Sequence, residues 1–353
     1  MKILHMADCH LDSAMETSLS PAVAKLRRQE LLLTFKDIVS AAARGGVRLV
    51  LIAGDLFDTP APHKNTVSHV LGEIATHSDI DFILIEGNHD EGALASYSLP
   101  ANLRLVKARQ TARFAFDGVT VCAAGYGVTP DALAALKPDG GEKSILLVHG
   151  TVGSAGDTSE ESLPRPLLEE MGFDYIALGH YHSHRAEHLG AHTTACYAGV
   201  PEGRGFDEAG VCGVVFIDSD TMRAELVPSA RRTLHRLKAD ISAARDAHEV
   251  ANAVYNVINE LPDKDMVHLT LTGHYTEQLD KDLSHVETML SRFYFYRLKD
   301  ESLLALCPED YKNDISLRGE FVRHVFAAEL SEEDRARILD YGLRALAGEN
   351  PID

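Results

Sequence analysis

Six polar clusters in the first half of the chain carry side chains that can bind cations or move protons. They are Asp8-Cys9-His10, Gly54-Asp55-Leu56-Phe57-Asp58, Gly87-Asn88-His89-Asp90-Glu91, Val148-His149-Gly150, Gly179-His180 and Tyr181-His182. Carboxylates, an amide and imidazoles make a mixed oxygen and nitrogen donor set without thiolate, which favours Mn²⁺, Fe²⁺ or Zn²⁺ over Ca²⁺. Asp8 and His10 are close enough for one turn to aim both at a single ion. Asp55 has two oxygens and can bridge two ions, Asn88 offers a neutral carbonyl oxygen, and His149, His180 and His182 offer ring nitrogens. We expect Asp8, His10, Asp55 and His182 to hold one ion, and Asp55, Asn88, His149 and His180 a second. Two ions about 3.5–4 Å apart suit phosphoester hydrolysis, because solvent held by them becomes a nucleophile near neutral pH and both clamp the phosphate. His89, next to a ligand, can face the leaving oxygen as acid or as stabiliser of the transition state. Asp58 is the expected carboxylate behind His89. Asp90 is second choice for that part, and is expected rather to hold its own turn together through backbone hydrogen bonds. Arg204, in Gly203-Arg204-Gly205, can meet a phosphate; the plain alternative is a surface arginine in a turn. His63, Tyr181, His184 and His188 are expected at the rim.

These residues need elements to position them. Five of the clusters follow short apolar runs, Lys2–Met6, Leu49–Ala53, Phe82–Glu86, Ile145–Val148 and Tyr175–Leu178, which read as buried strands. The ligands therefore fall at the carboxyl ends of strands, where open α/β sheets build their sites. Residues 22–44, with Leu26, Leu33, Ile38 and Val39 at helical spacing and a stop at Gly45-Gly46, read as a helix, as do residues 64–76. Hairpins are expected over 114–124 around Asp117-Gly118 and over 212–227 around Asp218-Ser219-Asp220. The fold class expected is α/β: two mixed β-sheets packed face to face and flanked by helices, with a smaller α/β cap and terminal helices after it. The domains are expected at 1–230 (site-bearing), 231–300 (cap) and 301–353 (helical). In the cap, strands are expected at 234–238, 266–272 and 293–298 and helices at 249–261 and 277–290. Helices at 317–329 and 332–347 follow, the last with Ser331 as N-cap.

A chain of 353 residues with 45% apolar content is long enough for more than one core. Its five cysteines are odd in number and unpaired in spacing, so reduced thiols are expected. No run is long enough to span a membrane and no secretory signal opens the chain, which points to the cytoplasm. A formal charge of −19 works against nonspecific attraction to nucleic acid, so any such binding must rely on metals, local basic patches or a partner.

The motif series, D-x-H, G-D-x-x-D, G-N-H-D, H and G-H-x-H, resembles that of the calcineurin-like metallophosphoesterases, through Asp8/His10, Gly54-Asp55/Asp58, Gly87-Asn88-His89-Asp90, His149 and Gly179-His180/His182. Within them the chain looks like the SbcD-type DNA repair exonucleases, in a YhaO-like bacterial branch. The residues carrying this are His10-Leu11-Asp12-Ser13, Gly54 to Thr59, Gly87 to Asp90 and Tyr197 to Arg204. The resemblance covers residues 1 to about 230. It implies a DNA exonuclease or endonuclease with two divalent metals, Mn²⁺ first and Fe or Zn as alternatives. DNA, an SbcC-like coiled-coil ATPase and a second copy in a homodimer are the implied partners, with residues 317–347 of the helical 301–353 segment as the implied candidate for docking the ATPase. Two departures stand out: Cys9 lies between the first two ligands, and Asp58 occupies a place where eukaryotic and archaeal nucleases carry His. Two other readings are carried beside this one, hydrolysis of small phosphoesters and a metal-stabilised scaffold for an ATPase. If the histidines hold metal, affinity and activity fall below about pH 6.

Overall fold

The computed structural model describes residues 1–15, 19–138, 140, 142–153, 161–279 and 281–348, so the end of the expected 301–353 segment lies outside the described residues. The chain forms two compact units, one ending at Thr233 and the other beginning at Leu234.

The first unit opens with β1 (Lys2–Met6), α1 (Pro21–Arg44), β2 (Val47–Ala53), α2 (Lys64–Thr76), β3 (Asp81–Ile85) and β4 (Leu103–Val106). Next come β5 (Thr111–Phe116), β6 (Val119–Ala124), α3 (Pro130–Ala134), β7 (Lys143–His149), β8 (Thr151–Gly153), β9 (Ser162–Pro164) and α4 (Arg165–Met171). It ends with β10 (Tyr175–Gly179), β11 (Arg185–Leu189), β12 (Thr193–Tyr197), β13 (Gly213–Asp218) and β14 (Ala224–Pro228). Two six-stranded sheets result, in the orders β14-β13-β1-β2-β3-β4 and β11-β12-β10-β7-β6-β5. Their inner strands run parallel, and the two expected hairpins supply antiparallel pairs at β5/β6 and β13/β14.

Alternation along the strands makes three apolar layers. Ile3, Leu49, Leu51, Ile83, Ile145, Leu147 and Tyr175 meet between the sheets. Leu4, Met6, Val50, Ile52 and Phe82 point outward under α1 and α2, and Leu146, Val148, Ile176 and Leu178 point outward under α4. The first unit is thus a sandwich of two mixed sheets between helices. Because β1, β2, β3, β7 and β10 are parallel neighbours within their sheets, their carboxyl ends reach one rim.

Helix α1 begins where Ser20 accepts a hydrogen bond from the Val23 N–H and Pro21 fixes the first turn, and it stops at Gly45. Its buried stripe is half the one expected: Ile38 and Val39 face inward, with Ala24, Arg27, Leu31, Phe35 and Ala42, while Leu26 and Leu33 are 50% and 44% exposed. The inward face tolerates Arg27 because partners meet it there, which hydrophobic periodicity alone does not reveal.

The second unit has a parallel sheet of β15 (Leu234–Asp240), β16 (Met266–Thr272) and β18 (Phe295–Asp300), joined through α5 (Ala247–Ile258) and α6 (Ser284–Leu290). A short pair, β17 (His274–Tyr275) with β19 (Leu303–Leu304), and helices α7 (Leu317–Ala327) and α8 (Glu332–Leu346) complete it. The helix expected from Glu277 begins at Ser284, because Tyr275 is drawn into pairing with Leu304 and the Leu279 N–H closes a turn on Thr276. Among the described residues no helix is long and apolar enough to cross a membrane.

Candidate metal centre

The backbone at the strand ends is bent into unusual shapes. Asp8, His10, Asp55 and His180 adopt φ of 51°, 43°, 50° and 96°, left-handed conformations that non-glycine residues enter at a cost and that cluster at functional sites. Backbone hydrogen bonds hold them: Asp8 N–H to Gly54 O (3.1 Å), His10 N–H to Asp55 O (3.0 Å), and His180 N–H to the Asp8 carboxylate (2.9 and 3.1 Å). The motif glycines make room. A Cβ on Gly54 would lie 2.4 Å from His149 Nδ1, one on Gly87 2.2 Å from Asp55 Oδ1, and one on Gly179 1.9 Å from the Ala53 carbonyl oxygen.

All seven expected ligands converge. His10 Nε2 lies 3.1 Å from His182 Nε2 and 3.8 Å from Asp55 Oδ2. On the other side, His149 Nε2 lies 3.4 Å from the same Asp55 oxygen and 2.9 Å from Asn88 Oδ1, which is 3.3 Å from His180 Nδ1. Donor atoms of Asp8, His10 and His182 lie within 4.8 Å of one another, as do those of Asp8, Asp55 and His149. Asp55 therefore stands between the two histidine sets, and Asp8 reaches both.

The outer nitrogens fix the ring orientations. His149 Nδ1–H donates to Ala53 O at 2.8 Å, leaving Nε2 for the interior. His10 Nδ1 is 2.8 Å from Asp58 and His182 Nδ1 is 2.8 Å from Glu208. Arg204 joins these two carboxylates, at 2.9 Å from Asp58 and 2.7 Å from Glu208. Asp58, expected behind His89, is nearer to His10 and Arg204; its distance to His89 Nδ1 is 3.8 Å. His10, Asp58 and His89 also approach one another closely, but the Arg204 guanidinium already neutralises Asp58, so a further cation there would meet like charge. Asp90 accepts from the Gly87 (2.8 Å), Leu56 (2.8 Å) and Phe57 (3.3 Å) N–H groups, tying the Asn88 turn to the Asp55 turn.

Burial pushes the Asp8 carboxyl up to about 6 and that of Asp90 up to about 7. Burial also disfavours charge on His149, but the Asp55 and Asp8 carboxylates and the Ala53 carbonyl outweigh it and lift the imidazole to about 9. Asp55, despite its burial, is held well below the usual carboxylate range by the His149 contact. The buried anions thus demand positive charge. Carboxylate, amide and imidazole atoms turned toward common points are a donor set suited to two divalent cations.

Sequence reading did not identify Glu208, the Ala53 carbonyl or Glu161, whose carboxylate lies 3.4 Å from His180 Nε2. It also missed the support beneath Arg204. Fully buried Arg27 donates to Glu202 (2.7 Å) and Gly203 O (2.6 Å), and Thr34 donates to Glu202 (2.8 Å). Arg27 on the inner face of α1 was the available signal. Beside the centre opens a cleft of about 460 Å³ lined by Met15, Asp58, His89, Arg204 and Asp207 among others. The His89 side chain is 44% exposed there. Of the rim residues, Tyr181 is exposed, while His184 is fixed by its 3.1 Å bond to the Tyr197 carbonyl.

Among known proteins, the "DNA double-strand break repair protein Mre11" of Saccharolobus solfataricus is 25% identical over 96% of this chain and 93% of its own length. The "uncharacterized metallophosphoesterase YhaO" of Bacillus subtilis is 24% identical over 79% of this chain and 73% of its own. A solved dimetal phosphatase from Danio rerio, 12% identical, covers 61% of this chain and 91% of its own with a TM-score of 0.45. Residues 1–184, which include every residue assigned here to the two metals, match the calcineurin-like phosphoesterase model, and the chain belongs to that family.

Proposed function

We propose that the chain is a dinuclear-metal phosphodiesterase that cleaves DNA in repair, with Mn²⁺ as its metal. The observation that carries the reading is the convergence of Asp8, His10, Asp55, Asn88, His149, His180 and His182 beside an open cleft. Mn²⁺ bound by Asp8, His10, Asp55 and His182 and by Asp55, Asn88, His149 and His180 would supply Lewis acidity and lower the pKa of bound water. The protein's own part is orientation and proton delivery. Asp58 and Glu208 keep Nδ1 of His10 and His182 engaged so that each Nε2 faces inward. His89 stands at the mouth of the cleft, its ring edge against His10 at 4.9 Å between centroids, where it can pass a proton to the leaving oxygen. Asp90 positions the turn that carries Asn88 and His89. Arg204 lines the cleft, but Asp58 and Glu208 already neutralise its guanidinium, so we assign it to holding those carboxylates ahead of binding a phosphate.

The choice of DNA is supported by likeness along nearly the whole chain to a protein named for double-strand break repair. By the same likeness we propose an SbcC-like ATPase and a second copy of the chain as partners, and the cytoplasm as the compartment. Hydrolysis of small phosphoesters is the second reading, favoured by the −19 charge and by the acidic Asp207 on the cleft wall. The test is cleavage of end-labelled single- and double-stranded DNA with Mn²⁺, beside bis-p-nitrophenyl phosphate and p-nitrophenyl phosphate, with Asp55→Ala as control. DNA cleavage lost in the variant supports the nuclease. Turnover of the small esters alone would favour the second reading, and activity retained by Asp55→Ala would sink both.

A further inference from the structure

The histidines assigned to the two ions are supported differently. Those of one ion, His10 and His182, turn their outer nitrogens to Asp58 and Glu208, and Arg204 holds both of these carboxylates. Those of the other, His149 and His180, meet the Ala53 carbonyl at the end of β2 and the half-exposed Glu161. Arg204 is in turn set from behind. The carbonyl of its neighbour Gly203 accepts from Arg27 at 2.6 Å. Glu202 accepts from three donors, Arg27 at 2.7 Å, the Thr34 hydroxyl at 2.8 Å and the Arg231 N–H at 2.6 Å. Arg27, Thr34 and Glu202 are all buried. Glu30 joins Arg27 to Arg232, whose guanidinium donates to it at 2.6 and 3.1 Å. A continuous series of charge-assisted hydrogen bonds therefore runs from Arg232 through Glu30 and Arg27 to Glu202 and Gly203. One peptide bond further on, Arg204 carries it to Asp58 and Glu208. Bonds of this kind are the strong ones, and a buried network with every member satisfied is rigid.

We propose that Arg27, Thr34, Glu202 and Arg232 are positioning residues for one of the two metals, the ion assigned to Asp8, His10, Asp55 and His182. They fix where the Gly203-Arg204 turn lies, Arg204 fixes Asp58 and Glu208, and those carboxylates orient two imidazoles of that ion. The series does not extend to Ala53 O or Glu161, so the other ion's histidines take their orientation independently of it. The centre is therefore unequal: one metal answers to α1 and the segment ending at Arg232, the other to the end of β2. The inference rests on the reading of the chain as a two-metal phosphodiesterase.

The test is calorimetric titration of the full chain with Mn²⁺. Thr34→Val removes one donor to Glu202 at nearly constant shape, and Arg232→Gln removes the charge at the outer end. With both substitutions, one of the two Mn²⁺ binding steps should weaken about 3–10-fold while the other holds within twofold. Arg232→Lys should recover most of the loss contributed by Arg232→Gln. Repeating the titrations in His180→Ala and His182→Ala backgrounds assigns the step. The pair of substitutions should weaken the ion left in His180→Ala and have no effect on the ion left in His182→Ala, because the series then has one imidazole fewer to orient. General loosening of the fold would weaken both steps alike, and that result, or no change in either step, would overturn the proposal. An unaltered chain that binds no Mn²⁺ would overturn the metal reading and the proposal with it. If the selective loss is seen but the unaltered chain leaves bis-p-nitrophenyl phosphate intact, the positioning role stands and the phosphodiesterase reading falls.

Discussion

Among single side chains, the imidazoles of the centre are distinguished by what holds their outer nitrogens: Asp58 for His10, the Ala53 carbonyl for His149 and Glu208 for His182. Glu208→Gln keeps the size and removes the charge that favours the Nδ1–H form, so Mn²⁺ at one of two sites should bind about 10–100-fold more weakly. Titration calorimetry checks this, and affinity within twofold of the unaltered chain would count against Glu208 as an orienting group. His89→Ala should leave metal content by mass spectrometry unchanged while kcat on bis-p-nitrophenyl phosphate falls about 10²–10⁴-fold. The seven inward-facing groups were legible in the sequence because most of them follow an apolar run directly, and a strand places its next residue at the sheet rim. Their supports were not. Glu208 follows Arg204 by one helical turn, but nothing in the order of residues says that this turn reaches back to His182, and a main-chain acceptor such as Ala53 O has no sequence signature.

At the level of elements, strand ends bring the ligands together only because glycines let them approach. Gly179→Ala puts a Cβ 1.9 Å from Ala53 O and 2.8 Å from His149 Nδ1, so β10 must move away from β2. A loss of about 1–3 kcal/mol is expected in urea unfolding, together with reduced metal content. Unaltered stability would mean that the two strand ends have slack. Helix α1 offers a second case. Arg27 and Glu202 are both buried, so Arg27→Leu leaves an unpaired carboxylate inside and should cost about 3–5 kcal/mol by the same measurement. The strands and helices were readable from period and caps, and α2 falls on the expected residues. On α1, Ile38 and Val39 were read correctly and Leu26 and Leu33 were not, because apolar period gives no weight to an inward-facing charge such as Arg27. The left-handed turns at Asp8, His10, Asp55 and His180 leave no trace in residue type, since Asp and His occur there without glycine to mark them.

For the whole molecule, the layer between the sheets buries an imidazole. His5 on β1 is fully buried, 3.1 Å from the Tyr175 hydroxyl, and burial depresses its pKa from 6.5 to about 3. The unfolded chain therefore takes up this proton before the folded one does. The associated stability is complete above pH 6.5 and is lost as pH falls toward 3, at about 1.4 kcal/mol per pH unit. Urea midpoints at pH 8 and pH 4.5 should differ less in His5→Leu than in the unaltered chain, and equal differences would show that His5 is not the sensor. The sandwich was legible as a class from its alternating runs, but the pairing of β1 with β13 was not, because their separation in sequence gives no cue. That pairing also bears on synthesis. As the chain leaves the ribosome, β1 keeps one edge unpaired until Gly213–Asp218 emerges, and the metal centre lacks its last ligands until His180 and His182 are made. On the proposed assignment, neither metal position is complete before residues 180–182 are made, so loading would wait until about half of the chain has been synthesised.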